Sequence, residues 1–222
     1  AADRRLMGLI CEANGKHESA LEHLVLASMA IIANGKDSEV ASVDCNIGDT
    51  HLSLARYDDA IFAHERALTV YKTHKGENHP SVGSVFVRLA DLHCRTWKIR
   101  ESKSYSESAL KIYENPMPGV PPKASGFMNV SAIYESMNEL EQTLKLLHKA
   151  LVILNEASGQ QNTIAGIEAQ MGVMYYVWRT TLNLTMLSKM LGRSFVLTER
   201  RNLPSLVLFL IKWDLLVCSS MP

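Results

Sequence analysis

The chain has 222 residues, 47% of them apolar and 21% charged, and its 23 basic and 23 acidic side chains cancel to a formal net charge of zero. That balance offers little of the long-range attraction to phosphate behind non-specific nucleic-acid binding, so no DNA or RNA partner is expected. The most apolar run, Leu206 to Ile211, is followed by Lys212 and Asp214, and even Leu203 to Val217 is shorter than the roughly 20 apolar residues that span a bilayer.

Ala20 returns as Ala60, and Ala27 as Ala67, Ala109 and Ala150, in steps of 40, 42 and 41 residues. A period near forty built from two helical patterns describes units that bury their apolar faces only by stacking on their neighbours. A small residue recurs at Gly8, Gly48, Ala90, Ser131 and Gly172, where one helix must approach the next closely. Three residues on stand Cys11, His51, His93, Tyr134 and Tyr175, and the middles of the second helices carry Leu24, His64, Ser106 and Leu147.

In chain order the pattern predicts first helices near 3–13, 41–54, 82–96, 124–136 and 163–177, alternating with second helices near 17–33, 58–73, 101–114 and 141–156. Tight turns within units fall at Gly15, Ala55 to Tyr57, Lys98 to Arg100 and Asn138 to Leu140. Connectors between units are Asn34 to Asp37, His74 to Ser81, Asn115 to Pro122 and Ser158 to Asn162, where Pro, Gly and Asn collect. Pro80 suits the first turn of a helix, and Gly35, Gly76 and Gly159 suit the left-handed residue that ends one. The organisation expected is an array over 1–179, with repeats near 1–40, 41–82, 83–123 and 124–164 and an incomplete fifth over 165–179. A divergent apolar tail follows over 180–222. Leu184 and Leu191 stand where a fifth second helix would need small residues, and the Leu203 to Val217 stretch is expected to cover the fifth unit or to be disordered.

Small, small and apolar at these spacings is similar to the tetratricopeptide repeat (TPR), whose basic unit is about 34 residues; here each unit is six to eight longer. Gly76-Glu77-Asn78-His79-Pro80-Ser81-Val82 resembles the Gly-x-x-His-Pro-x-Val connector of kinesin light chains. Arg66-Ala67-Leu68-Thr69-Val70-Tyr71 and Ser108-Ala109-Leu110-Lys111-Ile112-Tyr113 resemble that family's second-helix ending, and Gly166 to Tyr176 is worded most like its plant kinesin light chain-related branch. The likeness covers roughly residues 1 to 177. It implies an all-α, right-handed α-solenoid of helix-turn-helix repeats whose first helices line a concave groove. By analogy it also implies a cytoplasmic, cytoskeleton-associated adaptor near microtubules, binding peptide segments of other proteins, including microtubule- or membrane-associated ones. The heavy-chain-binding coiled coil of true light chains has no counterpart here.

Counting six places from the repeat starts gives Leu6, Asn46, Arg88, Asn129 and Gln170, and offsets of three and seven keep to one helical face. The resulting polar ladder is Asn46-Asp49-Ser53, Arg88-Asp91-Arg95 and Asn129-Ala132-Ser136, with Gln170 beyond. Amide side chains carry donors and acceptors and can pair the backbone of an extended peptide whatever its sequence. Arg88 and Arg95 favour a carboxylate-bearing ligand through forked hydrogen bonds, while Asp49 and Asp91, one turn away, are placed to hold those arginines; a mixed, moderately acidic peptide fits. The carboxylate clamp of TPR co-chaperones is similar in part, with Arg5, Asn46 and Arg88 at three of its five places. Leu9 and Ser84 depart from the other two. An acidic C-terminal peptide is therefore the alternative ligand.

No catalytic residue, metal ligand set or cofactor is expected. His74, Glu77 and His79 share a connector without regular ligand spacing, as do His51, Asp58 and Asp59, and neither a phosphate-cradling glycine loop nor a Gly-x-Ser-x-Gly turn occurs. His64 and His93 are expected to be semi-buried structural residues. Cys11, Cys45, Cys94 and Cys218 form no C-x-x-C pair; Cys11 and Cys94 are expected to be small buried groups in a reducing compartment. No secretory signal precedes Asn129-Val130-Ser131 or Asn183-Leu184-Thr185, so these triplets are read as accidental. Ala1 already falls inside a repeat, as in a fragment of a longer array.

Overall fold

The computed structural model describes residues 1–35, 37–116, 123–156 and 159–197. The expectations for Leu203 to Val217, and for parts of the connectors at 36, 117–122 and 158, lie outside the described residues. Nine helices occur among those described: α1 (Ala2–Ala13), α2 (His17–Ala33), α3 (Asp37–Ser53), α4 (Tyr57–Lys75), α5 (Pro80–Arg95), α6 (Ile99–Glu114), α7 (Ala124–Ser136), α8 (Leu140–Asn155) and α9 (Gln161–Leu197). The fold is an all-α solenoid. Ala1–Met174 forms one compact unit and Tyr175–Pro222 another.

Within Ala1–Met174 the helices pair as α1 with α2, α3 with α4, α5 with α6 and α7 with α8, and each second helix then packs on the next first helix. The reason lies in the intra-unit turns. Gly15, Ala55, Trp97 and Asn138 all adopt positive φ, from 57° to 71°. After each, the next N–H reaches five residues back: Lys16 to the Cys11 carbonyl, Arg56 to His51, Lys98 to His93 and Glu139 to Tyr134, all at 2.9 Å. One helix-ending hydrogen-bond pattern is thus repeated four times, capping carbonyls that would otherwise be orphaned and reversing the chain at a fixed angle.

The recurrent small residue and the second-helix centre sixteen positions later face one another. A Cβ on Gly8 would lie 2.8 Å from Leu24, and one on Gly48 would lie 2.6 Å from the His64 ring. Ala90 and the smaller Ser106 stand at the same spacing, and Ser102 donates to the Ala90 carbonyl at 2.8 Å. Leu24, His64 and Ser106 are fully buried and Leu147 nearly so. Across pairs, the Tyr113 ring wedges against Gly83 of α5 and Gly126 of α7, where added Cβ atoms would sit 3.0 and 2.8 Å from it. The apolar core divides along the stack into three clusters: one around Leu24, Val43 and Ile47, one around Tyr71, Val85 and Leu89, and one around Phe127, Leu147 and Ile167.

Three expectations need correction. First, α3 begins at Asp37, not near 41, because Asp37-Ser38-Glu39 is polar sequence of the kind that opens helices and the Gly35 turn (φ 65°) already reverses the chain. Second, α9 does not stop near 177; it runs to Leu197, since no proline or left-handed residue stands at the fifth turn position and Arg179 is helical. Gly172 accordingly meets no described atom within 4 Å of an added Cβ. Third, His64 and His93 are buried outright, whereas Cys11 and Cys94 are only half-buried and Cys45 is the buried thiol.

Candidate peptide-binding groove

The first helices set side chains one above another along one face. Arg5 of α1, Asn46 of α3, Arg88 of α5 and Asn129 of α7 all line a single open cavity of about 610 Å³. Beyond it lies a second cavity of about 400 Å³, which shares Arg88 and Asn129 and adds Asp49, Asp91 and Arg95. Of the eleven residues of the ladder and Arg5, nine, Ala132 and Ser136 included, therefore meet in two adjoining hollows. The other two do not. Ser53 donates to Glu12 Oε1 at 3.0 Å and to the Asp49 carbonyl, and Gln170 donates to Glu135 Oε2 at 2.8 Å; neither lines either hollow.

Asp49 and Asp91 do hold the arginines. Arg88 Nε donates to Asp49 Oδ1 at 3.0 Å and Oδ2 at 3.3 Å, tying α5 to α3, while its Nη1 donates to Ser84 Oγ at 2.7 Å. Arg95 Nε donates to Asp91 at 2.8 Å one turn away. Arg88 is thus fixed in place with part of its fork still uncommitted, a preorganised donor. Burial pushes the Asp49 carboxyl up and outweighs the pull of Arg88 downward. The fully buried His64 lies 3.6 Å from Asp49, and burial, helped by Arg88, lowers its imidazole to about 4.

The floor of the larger cavity was not anticipated in the sequence. Tyr71 and Tyr113, 42 residues apart at the ends of α4 and α6, bring phenols to it, and burial pushes Tyr113 up to about 12. His79 caps α5 by accepting the Ser81 N–H on Nδ1 at 3.1 Å, which leaves Nε2 as the protonated ring nitrogen. Lys123, just ahead of α7, supplies a further cation. The tyrosines carried a periodicity signal and Lys123 only its place at the boundary between the third and fourth repeats. Cys45 also lines the cavity, its thiol pushed up to about 11 by burial, which leaves it protonated and unreactive. Of the clamp positions, Arg5, Asn46, Ser84 and Arg88 converge here.

Among the described residues no three or more His, Cys, Asp or Glu side chains gather as a metal site, and no helix is long and apolar enough to cross a membrane. His51 lies 3.9 Å from Asp59 without a third partner of that kind.

The stacked helical pairs, the four repeated turns and the lined first-helix face define a tetratricopeptide-repeat protein, and the family profile for the tetratricopeptide repeat matches residues 39–115. The chain is 61% identical over 178 residues to KINESIN LIGHT CHAIN-RELATED 1 and 63% identical over 179 residues to KINESIN LIGHT CHAIN-RELATED 3, both of Arabidopsis thaliana. Over the matched residues it is a TPR array similar in sequence to these kinesin light chain-related proteins. These matches take in 79% and 80% of this chain but only 29% and 28% of those relatives, so the chain spans well under a third of their length. Among solved structures, BtubC (BKLC) of P. vanneervenii superposes with a TM-score of 0.60 at 21% identity, covering 70% of this chain and 63% of that one. A kinesin light chain-like protein of nearly identical TPR-like repeats from Podosopora anserina gives 0.65 at 12% identity, over 90% and 97%. At such identities these last two speak for the fold alone.

Proposed function

We propose that the array is a noncatalytic adaptor that holds extended segments of other proteins along the first-helix face. The observation that carries this reading is the pair of adjoining hollows sharing Arg88 and Asn129, which make one polar track across successive repeats. Asn46 and Asn129 pair a peptide backbone, and Arg88, braced by Asp49 and Ser84, selects a carboxylate or other acceptor. Kinship with proteins named kinesin light chain-related supports a cytoplasmic, microtubule-associated setting. One groove contact gives moderate strength, so tight capture relies on several sites acting together.

Capture of partner proteins is compared between the parent and the triple variant Asn46→Ala/Arg88→Glu/Asn129→Ala, with helicity checked by circular dichroism. Loss of capture by a folded variant is expected. Unchanged capture removes the groove from the account. The meeting of Arg5, Asn46 and Arg88 in one cavity also favours the second reading, a clamp on an acidic C-terminal peptide. An acidic peptide with a free C-terminus then binds at least several-fold more tightly than its amide, whereas equal binding rejects the clamp.

A further inference from the structure

The two hollows differ in charge. The smaller holds Asp49 and Asp91 beside Arg88 and Arg95, an even balance. The larger holds Arg5 and Lys123 and shares Arg88, whose Nε is paired with Asp49 and whose fork is otherwise partly uncommitted; among the described residues no carboxylate lines it. These three cations come from separate parts of the chain, α1, α5 and the residue before α7. Arg5 and Arg88 are close enough to bear on the same two groups, lowering both Cys45 and Tyr71 against their burial, and Lys123 bears on His79. Neutral donors fill the spaces between, with the phenols of Tyr71 and Tyr113 and the hydroxyls of Ser81 and Ser125 on the wall. The first turn of α7 opens on this wall without a side-chain cap, and although the Gly126 N–H is bonded to the Lys123 carbonyl at 3.0 Å, the helix dipole adds to the positive field. The Asn46 amide nitrogen, also shielded from solvent, has no acceptor among the described residues.

A cavity of about 610 Å³ with positive charge on several sides and many donors is built for a compact, multiply charged anion. One carboxylate offers two oxygens and a single charge, too little to answer Arg5, Lys123 and the uncommitted part of the Arg88 fork together. A phosphate monoester offers three terminal oxygens and a charge of about −1.5 to −2 at neutral pH. Resting on the groove reading above, we infer that this cavity is a phosphate-monoester site that receives a phosphorylated serine or threonine of the bound peptide. The neighbouring charge-balanced hollow takes the adjoining, unmodified residues. Phosphorylation of the partner would then switch its capture.

The test uses an acetylated, amidated nine-residue peptide of alternating alanine and asparagine around a central serine, in three forms: unmodified, phosphorylated, and with three consecutive aspartates. Titration calorimetry on the whole chain at low salt reads each affinity. The phosphorylated form is expected to bind at least tenfold more tightly than either other form. Arg5→Ala and Lys123→Ala, both at solvent-accessible positions, each remove most of that gain, while Arg100→Ala, an exposed cation outside both hollows, leaves it intact. Inorganic phosphate at millimolar concentration competes with the phosphorylated form alone. Equal binding of the aspartate and phosphorylated forms overturns the assignment, as does an equal loss in Arg100→Ala. If phosphorylation gives no gain while the triple groove variant still loses its partners, the phosphate assignment falls and the groove stands; if that variant also keeps its partners, both fall.

Discussion

His64 occupies the place that leucine holds in the first and fourth repeats, and it does so with neither ring nitrogen bonded among the described residues. Burial first, and Arg88 second, hold its imidazole down at about 4 against an ordinary 6.5. Asp49 at 3.6 Å would favour the imidazolium, but its charge is already shared with Arg88. Below pH 6.5 the unfolded chain therefore binds a proton that the folded chain refuses, and stability falls as pH drops from about 6.5 toward 4. The loss from this residue reaches at most about 3 kcal/mol. Asp44 and Asp49, raised by burial, act in the opposite sense at the acid end. His64→Leu, which copies Leu24 against Gly8, should flatten the slope between pH 6.5 and 4 in urea titrations and raise the midpoint. A slope equal to the parent's would show that His64 is not the titrating group. The facing glycine gives a second prediction at this scale. Gly48→Ala places a methyl 2.6 Å from the His64 ring and should destabilise by about 1–3 kcal/mol. Adding His64→Ser, which reproduces the Ala90 and Ser106 pair, should restore at least half of the clash component in a double-mutant cycle. Additive effects would deny the contact. The recurrence of these facing positions was visible in the sequence, because sixteen-residue spacing survives degenerate repeats. That the histidines would be sealed from water was not visible, since polarity argues for the rim and only the neighbouring helices decide otherwise.

At the scale of the element, every intra-unit turn needs one left-handed residue, and the chain meets that need with glycine once, asparagine once, and alanine and tryptophan in the middle repeats. L-residues with a Cβ resist this conformation by about 1–2 kcal/mol. Trp97 is 87% exposed, so it recovers little by burial. Trp97→Gly and Ala55→Gly should each raise stability by about 0.5–1 kcal/mol, part of the relief being offset by the greater freedom of glycine when unfolded. Asn138→Gly should change little, because asparagine already tolerates the left-handed region. Shifted urea midpoints with unchanged slopes check the set; destabilisation of both Trp97→Gly and Ala55→Gly would mean those side chains make stabilising contacts. Turn positions were legible to within a residue or two because the period carries them forward from Gly15, but the third, expected at Lys98 to Arg100, turns at Trp97, with Ile99 and Arg100 already in α6, since Trp97 bears no local turn signal of its own. Helix bounds were legible to within a few residues where Pro80, Gly35 and Gly76 punctuate the chain. The full length of α9 was not, because the unit pattern ended the fifth first helix near 177 and nothing local enforces that end.

Taken over Ala1–Met174, the core is a succession of clusters, each spanning about two neighbouring pairs, and no single cluster reaches from α2 to α8. Stacks of this kind store stability in repeats and their nearest interfaces, so a local defect should weaken its own region and fade along the array. The groove runs across those interfaces. Its shape depends on Tyr113 wedged between Gly83 and Gly126, and on Arg88 bridging to Asp49. Which first-helix residues share a track was readable from a helical offset of three and seven; the charge asymmetry of that track was not. It arises because the end of each second helix and the start of the next first helix close one side of the groove, bringing Tyr71, Tyr113 and Lys123 beside residues some forty positions away. The nearest-neighbour picture can be tested by hydrogen exchange on Gly48→Ala. Exchange should accelerate by tenfold or more in α3 and α4, less in α2 and α5, and remain close to the parent in α7 and α8. Uniform acceleration from α1 to α8 would instead mean that the array opens as one cooperative body, and groove geometry at α7 could then be altered by a defect at α3. Confinement to the neighbouring helices would leave Lys123 and Asn129 at α7 in place while Asn46 and Asp49 loosen, so that the two edges of the groove respond separately to sequence change.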